Sequence, residues 1–371
     1  MLVYAFLAVL PLATALTIAR PNGTYSVGTQ ITKFVDDTRF INGTYRRIMA
    51  TSFYPVGSYA DCSPYLVPYM PKLTADYNAV VYGGQLGTTL PDGTFEQFQL
   101  QVCNATCLDA RIEHKSWPLT LFSPGLGASR QFYSVMAEQL ATMGYIVVTV
   151  DTPLQADIIE YPNGSYLIAP GIGTDAQLTA ALPDRVEDII FVKNKVLGGV
   201  GIPSNIKADA DRIAVWGHSF GGAAAAQVAL EDSSFKAGVD FDGILYGSVA
   251  TTGVAQPFLF FARTTPPDLQ NMTSWASFLQ ASPDYNKLVL HVNNSAHGTF
   301  SDFPLLADLS GIAGFPGAST LIGNLDGRRA LVILASYVDA FFTFAFGHKV
   351  PQLLERPSPA FPEVSYVSGP L

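Results

Sequence analysis

Short apolar runs alternate with longer amphipathic segments along most of the chain. The apolar runs have the length of strands and cover residues 79–82, 95–102, 119–122, 146–150, 213–216, 237–241, 257–261 and 288–292. The amphipathic segments have a helical period and cover residues 131–143, 185–196, 221–230, 273–280 and 327–346. Continuous Val, Ile and Phe strands separated by helices are typical of a mostly parallel sheet that helices cover on both faces. The pattern therefore predicts an α/β fold whose ligands bind beyond the carboxyl ends of the strands.

Two segments fall outside this alternation. Residues 20–75 are rich in Pro, Gly and Tyr, and they predict an N-terminal extension that wraps a single domain spanning residues 20–371. Residues 154–182 are long and irregular, and loops of this length in compact domains are usually functional or disordered. We expect this second stretch to be a lid-like insertion over a substrate pocket. The alternative is a glycosylated surface loop that carries Asn163.

The first residues predict export from the cell. Residues 2–16 are almost wholly apolar and contain an A-x-A pattern that ends at Ala15. Residues 1–19 are therefore expected to form a signal peptide that is cleaved after Ala15 or after Ala19. An N-terminal membrane anchor is the alternative, but the apolar run is too short to span a bilayer comfortably.

Glycosylation signals support a secreted, extracellular protein. Six N-x-[ST] sequons occur, at Asn22, Asn42, Asn104, Asn163, Asn271 and Asn293. Residues 332–346 are also apolar, but the segment is short and includes Asp339. We therefore expect a buried helix there and no stable membrane insertion.

Three cysteines, Cys62, Cys103 and Cys107, predict at least one disulfide in an exported chain. A bond between Cys103 and Cys107 would close a small loop. A bond from Cys62 to either partner would tie the N-terminal segment to the sheet, and the sequence does not choose between these pairings. The spacing suits neither a zinc ribbon nor a zinc finger, so we expect no metal and no other cofactor.

The net charge of the chain argues against nucleic acid and anionic membranes as binding partners. Charged residues make up 14% of the sequence, and the formal net charge is −9. Nucleic-acid binding needs a basic face, so nucleic acid is not expected as a partner. A negative protein also binds anionic membranes poorly, which leaves neutral or zwitterionic substrates open.

The most informative segment joins an apolar strand to an Ala-rich helix through Gly217-His218-Ser219-Phe220-Gly221. A serine hydroxyl is a weak nucleophile, so the fold must expose it, supply a base and receive the developing oxyanion. A G-x-S-x-G turn between a strand and a helix does this in the α/β-hydrolase fold. We therefore predict Ser219 as the nucleophile and the backbone N–H of Phe220 as one oxyanion donor. The alternative is a tight glycine-rich turn with a bystander serine.

A serine nucleophile on this fold takes its base from a later histidine, in the order Ser, acid, His. Of the five histidines, His297 lies in a loop just after the last predicted strand, at the correct edge of the sheet. His114 precedes the nucleophile, and His291 lies inside a strand. His218 belongs to the turn itself, where its ring should flank the serine, and His348 follows the last helix. Elimination therefore leaves His297 as the base.

The acid should follow a strand between the nucleophile and the base. Asp242 ends the strand directly after the nucleophile strand, and strand alternation points its neighbour Asp240 to the other face of the sheet. Asp268 follows the next strand, from which many hydrolases of this fold take their acid. Position alone does not separate Asp242 from Asp268.

A second oxyanion donor should lie in the loop after an earlier strand. The strand at residues 119–122 runs into a glycine-rich turn, Ser123-Pro124-Gly125-Leu126-Gly127. The backbone N–H of Leu126 is the natural candidate in that turn.

Four blocks of the sequence resemble the secreted platelet-activating-factor acetylhydrolase family, plasma-type isoform II, and its fungal members most closely. They are residues 122–130 with Tyr133, residues 217–222, residues 238–242 and residues 297–303. The resemblance implies the α/β-hydrolase fold and no metal. It also implies Asp242 rather than Asp268 as the acid, and the backbone N–H groups of Leu126 and Phe220 as oxyanion donors. The animal members usually carry His where this chain has Pro124. The donor is the following backbone, so we expect the oxyanion hole to survive this difference.

The resemblance also implies an activity. It points to a carboxylic ester hydrolase that removes short acyl chains from phospholipids through an acyl-enzyme, as in the release of acetyl from platelet-activating factor. A broad esterase, a lipase or a polyester hydrolase would use the same triad on another lipid or ester substrate, and an acyl-chain-length series would separate them. An inactive hydrolase-fold binding module is the non-enzyme alternative. Such modules lose the serine, the histidine or a glycine of the turn, all of which this chain keeps.

Overall fold

Strands and helices alternate along the computed structural model, which describes residues 15–58, 62–104, 115–263, 272–283 and 286–368. Within these ranges the strands are β1 (Leu16–Thr17), β2 (Tyr25–Ile41), β3 (Thr44–Ser58), β4 (Tyr65–Pro68), β5 (Phe98–Val102), β6 (Ser116–Ser123), β7 (Ile146–Asp151), β8 (Ile158–Glu160), β9 (Tyr166–Ile168), β10 (Lys207–His218), β11 (Phe235–Phe241), β12 (Phe258–Ala262), β13 (Lys287–Val292) and β14 (Val364–Ser368). The helices are α1 (Lys72–Gln85), α2 (Ser134–Thr142), α3 (Asp175–Leu197), α4 (Phe220–Glu231), α5 (Val249–Thr252), α6 (Thr273–Ala281), α7 (Phe303–Ser310), α8 (Ala318–Ile322), α9 (Gly327–Ala345) and α10 (Gln352–Glu355).

Within the described ranges the central sheet has nine strands, in the order β14-β13-β12-β11-β10-β6-β7-β3-β2. The six strands from β13 to β7 pair in parallel, whereas β14 at one edge and the β3–β2 pair at the other run antiparallel to their neighbours. The predicted α/β fold with a mostly parallel sheet is therefore confirmed. The parallel strands bring their carboxyl ends to one edge, where side chains from distant parts of the sequence can meet.

The middle strands are buried on both faces. Along β10, Ala214 and Trp216 point into one apolar layer, and Ile213 and Val215 point into the other. Helices α2 and α9 contribute to the first layer, and helices α3, α4 and α6 contribute to the second. Because side chains alternate with a period of two, a strand covered on both faces is apolar at every position. This explains the continuous apolar runs in the sequence.

One predicted strand is wrong. Residues 79–82 lie inside helix α1, not in a strand. The buried positions of this helix include Ala75, Ala79 and Gly83, a spacing of four, while Val80 is 77% exposed. The helical period therefore decides the structure, although the four residues by themselves have the composition of a strand.

The N-terminal extension takes the form of two long strands at the edge of the sheet. Their antiparallel register runs from Tyr25 opposite Ser58 to Ile41 opposite Thr44, and β3 then pairs with β7. A separate three-stranded sheet, in the order β1-β5-β4, lies beside this region. The extension therefore enlarges the central sheet instead of only covering it.

A disulfide joins Cys62 to Cys103, with 6.1 Å between their Cα atoms. It links the segment before β4 to the end of β5, so one of the pairings that the sequence left open is present. Cys107 lies outside the described residues.

The stretch at residues 154–182 is more regular than predicted. Strands β8 and β9 form a short hairpin, in which Ile158 lies opposite Ile168. Helix α3 begins at Asp175 and not at Arg185, because Thr174 and Gln177 form a capping box at its N-terminus. Along the described ranges, no helix is long and apolar enough to cross a bilayer.

Candidate active site

Ser219 occupies a strained turn between β10 and α4. Its backbone dihedrals are φ 57° and ψ −124°, and its N–H donates to the carbonyl of Phe241 at 2.8 Å. A Cβ on Gly217 would collide with the carbonyl of Gly221, and one on Gly221 would collide with the carbonyl of Ser123. The two glycines are therefore required by the close approach of strand, helix and the loop after β6. A non-glycine residue held at positive φ in this way is typical of a functional turn.

His297 and Asp242 form a hydrogen-bonded pair at the same edge of the sheet. Asp242 directly follows β11, and its N–H donates to the carbonyl of Phe261 at 2.8 Å. Its Oδ2 lies 2.6 Å from Nδ1 of His297, which opens a 3₁₀ turn after β13. The Asp242 side chain is 3% exposed and the His297 side chain is 40% exposed. A buried carboxylate on Nδ1 fixes the ring orientation and leaves Nε2 for proton transfer.

Arg263 contacts the Asp242 carboxylate through both its backbone and its side chain. Its N–H donates to Asp242 Oδ1 at 3.2 Å, and its Nε lies 3.4 Å from Oδ2. Both oxygens of Asp242 therefore have polar partners, which hold the carboxylate in place beside His297.

His218 is buried beside the nucleophile and is held neutral. Its ring lies 4.5 Å from the His297 ring, measured between centroids. Burial, with a further contribution from the neighbouring His297, holds the pKa of His218 well below its ordinary value. Tyr133 Oη lies 2.9 Å from His218 Nδ1 and accepts the N–H of Gly125 at 3.1 Å. These contacts make His218 a flanking residue, as the sequence predicts, and they connect it to the loop after β6.

The loop after β6 faces the nucleophile. A Cβ on Gly125 would lie 3.5 Å from Cβ of Ser219. The N–H of Gly125 donates to Tyr133, and the N–H of Gly127 donates to the carbonyl of Gln155 at 2.8 Å. The amide of Leu126 therefore lies between two anchored amides in a loop that opposes the first residue of α4, Phe220. This geometry can hold a pair of backbone donors next to the serine.

The other acidic candidates are placed differently. Asp240 points to the opposite face of the sheet, where its Oδ1 accepts the N–H of Gly243 at 2.9 Å. It packs so closely on α4 that a Cβ on Gly222 would collide with it. Burial raises the pKa of Asp240 well above its ordinary value. Asp268 lies outside the described residues, and so does His114.

The remaining described histidines are His291 and His348. His291 is in the interior of β13, with its Nδ1 3.3 Å from Ser365 Oγ, and His348 is exposed after α9. Among the described residues, no group of three or more His, Cys, Asp or Glu side chains is placed to hold a metal ion.

Sequence reasoning missed two buried polar residues behind the loop after β6. Arg185 of α3 is 2% exposed and Gln155 is 4% exposed, and they are hydrogen-bonded to each other at 2.7 Å. A signal existed, because Arg185 occupies a position on the apolar face of a predicted amphipathic helix. Charged residues are almost never fully buried without a specific partner.

Comparisons with known proteins agree with one another. The model of the family described as "Platelet-activating factor acetylhydrolase, isoform II" matches residues 13–161 and 203–342. A protein of Arthroderma benhamiae named "Probable 1-alkyl-2-acetylglycerophosphocholine esterase" is 30% identical over 376 residues, which cover 94% of this chain and 93% of that protein. The dog protein named "Platelet-activating factor acetylhydrolase" is 27% identical over 251 residues, which cover 58% of this chain and 54% of that protein.

A solved structure also resembles the whole chain. The ferulic acid esterase from Streptomyces cinnamoneus superposes with a TM-score of 0.77 at 27% sequence identity, and the match covers 96% of this chain and 100% of that one. The similarity therefore extends over the α/β-hydrolase fold and is not limited to the serine turn.

Proposed function

This chain belongs to the platelet-activating factor acetylhydrolase family, isoform II, and from that membership we propose that it removes short acyl chains from glycerophospholipids. It is a carboxylic ester hydrolase, and we assign it to the serine hydrolases. The observation that carries the proposal is the hydrogen-bonded pair of His297 and Asp242 at the sheet edge that also holds the strained Ser219. A module that only bound a partner would have no need for such a pair.

In the proposed mechanism His297 takes the proton of Ser219 through Nε2, because Nδ1 is engaged by Asp242. The serine oxygen attacks the ester carbonyl, and the resulting tetrahedral intermediate collapses when His297 returns the proton to the leaving alcohol. Water, activated by the same histidine, then attacks the acyl-enzyme and releases the short acid. Asp242 keeps the imidazole in the productive tautomer and stabilises its charged form.

The backbone N–H groups of Leu126 and Phe220 are the proposed donors to the oxyanion. Phe220 begins α4, so its amide carries the positive end of the helix dipole toward the developing negative charge. Removing one such donor from a serine hydrolase typically costs about 10²–10³ in kcat.

The names of the relatives support the substrate class. The fungal relative is named for a glycerophosphocholine that carries an alkyl chain and an acetyl ester. That molecule is zwitterionic and has no net charge. A protein of net charge −9 repels anions but does not repel such a substrate. The ferulic acid esterase with the same fold supports a broader esterase as the second candidate.

We further propose that the protein is secreted as a glycoprotein. The apolar start of the chain and its disulfide support export into an oxidising environment. Five of the six sequon asparagines lie within the described residues, and all five are exposed: Asn22, Asn42, Asn104, Asn163 and Asn293. A sequon must be accessible to be modified, and these positions meet that condition.

The activity is tested with p-nitrophenyl esters of two to sixteen carbons and with an alkyl-acetyl-glycerophosphocholine, using purified protein. Hydrolysis confined to short chains and extending to the phospholipid is the expected result. Ser219→Ala should lower kcat by roughly 10⁴-fold or more while the protein stays folded.

Other outcomes would redirect the assignment. Activity that rises with chain length would identify a lipase, and activity on short esters without the phospholipid would favour the broader esterase. If wild type hydrolyses none of the esters faster than Ser219→Ala does, the enzyme proposal is wrong.

A further inference from the structure

A fully buried arginine lies behind the proposed oxyanion hole. Arg185 extends from α3, and within the described ranges its hydrogen bonds go to three neutral oxygens, whereas the carboxylates of Asp188 and Asp151 act on it through their charge. Burial lowers the pKa of this guanidinium to about 10. A buried charge is expensive, and an apolar side chain of similar volume often serves packing equally well or better. The groups to which Arg185 donates therefore indicate what this cation does.

Arg185 holds the loop after β6 from both sides of Leu126. Its Nη1 donates to the carbonyl of Pro124 and, at 3.1 Å, to Ser123 Oγ. Its Nε donates to Gln155 Oε1 at 2.7 Å. The backbone carbonyl of Gln155 in turn accepts the N–H of Gly127 at 2.8 Å. Arg185 thus anchors the residues before the candidate donor directly, and Gln155 links it to the residue after that donor.

The same guanidinium contacts the second candidate donor. Its Cζ lies 4.9 Å from the centroid of the Phe220 ring, in a cation–π contact. The loop and α4 also touch directly, because the carbonyls of Ser123 and Pro124 occupy the space that a Cβ on Gly221 would need. Arg185 therefore contacts both the loop that carries Leu126 and the residue that carries the other candidate amide, Phe220.

We propose that Arg185 is a positioning residue that sets the spacing and direction of the two oxyanion donors, with Gln155 as its partner. This inference rests on the proposed function, since it assigns a role within the same reaction. Arg185 does not contact the reacting atoms in this proposal. It acts through the Pro124 carbonyl, through Gln155 and through the Phe220 ring, so its loss should misplace the donors and weaken binding of the transition state. A misplacement of about 1 Å can cost 10²-fold in rate.

The test compares Arg185→Met and Arg185→Lys with wild type on one short p-nitrophenyl ester. We expect Arg185→Met to lower kcat by about 100-fold with KM changed less than about threefold, since the donors act in the transition state. Arg185→Lys keeps the charge but loses the planar fork, so it should recover only part of kcat. Binding of a trifluoromethyl ketone, whose adduct with Ser219 carries an oxyanion, should weaken by the same factor as kcat/KM.

Arg46 offers a matched control for a loss of stability. It is also 2% exposed and binds α3, but its hydrogen bonds go to Asp188 and Asp184 of that helix and not to the loop after β6. Arg46→Met should lower the melting temperature while kcat, measured well below that temperature, stays within about threefold of wild type. A purely structural role of Arg185 would give the Arg185 and Arg46 variants the same kinetic behaviour.

A second variant keeps the inference testable if Arg185→Met does not fold. Gln155→Ala removes one anchor of the guanidinium but retains the backbone carbonyl that binds Gly127, and it should lower kcat about tenfold. If Arg185→Met or Gln155→Ala folds and keeps kcat and ketone binding within threefold of wild type, the inference is wrong. The two proposals fail in different ways. If wild type hydrolyses the ester faster than Ser219→Ala does, the proposed function holds, and unchanged Arg185 and Gln155 variants then contradict only the positioning role.

Discussion

Ser219 and Asp242 share an uncommon backbone conformation. Both are non-glycine residues with positive φ, 57° and 56°, and each directly follows one of two neighbouring parallel strands. A residue held in such a conformation costs of order 1–3 kcal/mol, and the surrounding structure must enforce it. Hydrogen bonds from the two N–H groups to Phe241 and Phe261, both at 2.8 Å, do so here. The turn after β11 therefore aims the Asp242 carboxylate as rigidly as the turn after β10 aims the serine.

This rigidity leads to a prediction about the acid. Asp242→Asn keeps the shape of the side chain but removes the charge that stabilises the histidine after it has taken the proton, and it favours the wrong tautomer. We expect kcat to fall by roughly 10³–10⁴-fold, as in serine hydrolases of this type. Asp268→Asn is the control and should retain kcat within about threefold. Steady-state kinetics on a short ester measure both, and a larger loss from Asp268→Asn would reverse the assignment.

The candidate nucleophile and base could be predicted from sequence because local rules identify them. The spacing of Gly217, Ser219 and Gly221 is a local signal, and His297 remains after the other histidines are excluded. The choice of acid could not be derived in this way, since Asp242 and Asp268 both follow strands. It needs the family resemblance or the hydrogen bond to His297. Arg185 was missed because its role depends on a three-dimensional contact with a loop 61 residues away.

At the scale of elements, seven of the eight apolar runs proposed as strands are strands, whereas the two long strands of the N-terminal extension, β2 and β3, were not proposed. β2 includes exposed positions such as Ile31 and Phe40 among charged residues, so it has no clean apolar run. Its structure comes from pairing with β3 along nearly its whole length. In the same way the hairpin of β8 and β9 is too short to give a periodic signal. Strands whose structure depends on pairing with a neighbouring strand, and not on a continuous apolar run, are the ones that this pattern leaves out.

Strand β1 allows a prediction about processing. The sequence left cleavage after Ala15 or Ala19 open, but the N–H groups of Leu16 and Ile18 donate to Gln97 and Gln99 at 2.7 and 2.8 Å. Ile18 is also 1% exposed within the apolar core. Cleavage after Ala19 would remove this strand, whereas cleavage after Ala15 keeps it. We therefore expect protein purified from the culture medium to begin at Leu16.

Mass spectrometry of the N-terminal peptide measures this directly. A mature chain that begins at Arg20 would contradict the prediction. As a control, a secreted variant that lacks residues 16–19 should unfold at a lower temperature than wild type, because the apolar core loses Ile18.

At the scale of the whole molecule, buried acids make the stability depend on pH. Asp302 accepts the N–H groups of Val135 and Met136 at the start of α2, at 2.7 and 3.0 Å, and burial raises its pKa to about 7. Glu138 lies in the same helix, and burial raises its pKa to about 8 in spite of the positive charge of Arg20. In the unfolded chain both acids ionise near their ordinary values, 3.8 and 4.5.

The sign of the effect follows from the protons bound. Between pH 4.5 and about 8 the folded protein keeps a proton on Glu138 that the unfolded chain has lost. The free energy of unfolding therefore falls as the pH rises through this window, and the loss is complete above the folded pKa. Each tenfold difference in acid strength between the two states corresponds to about 1.4 kcal/mol.

Glu138→Gln isolates this contribution, because glutamine has nearly the same shape and cannot ionise. The variant should unfold at a temperature similar to wild type at pH 5 and at a higher one at pH 8, where wild-type Glu138 is being forced to ionise. Thermal unfolding across this range measures the difference, and Glu355→Gln, an exposed site in α10, is the control that should show no such trend. A Glu138→Gln curve parallel to wild type from pH 5 to pH 8 would mean that this carboxyl is ionised in the folded protein, with its charge compensated inside the core.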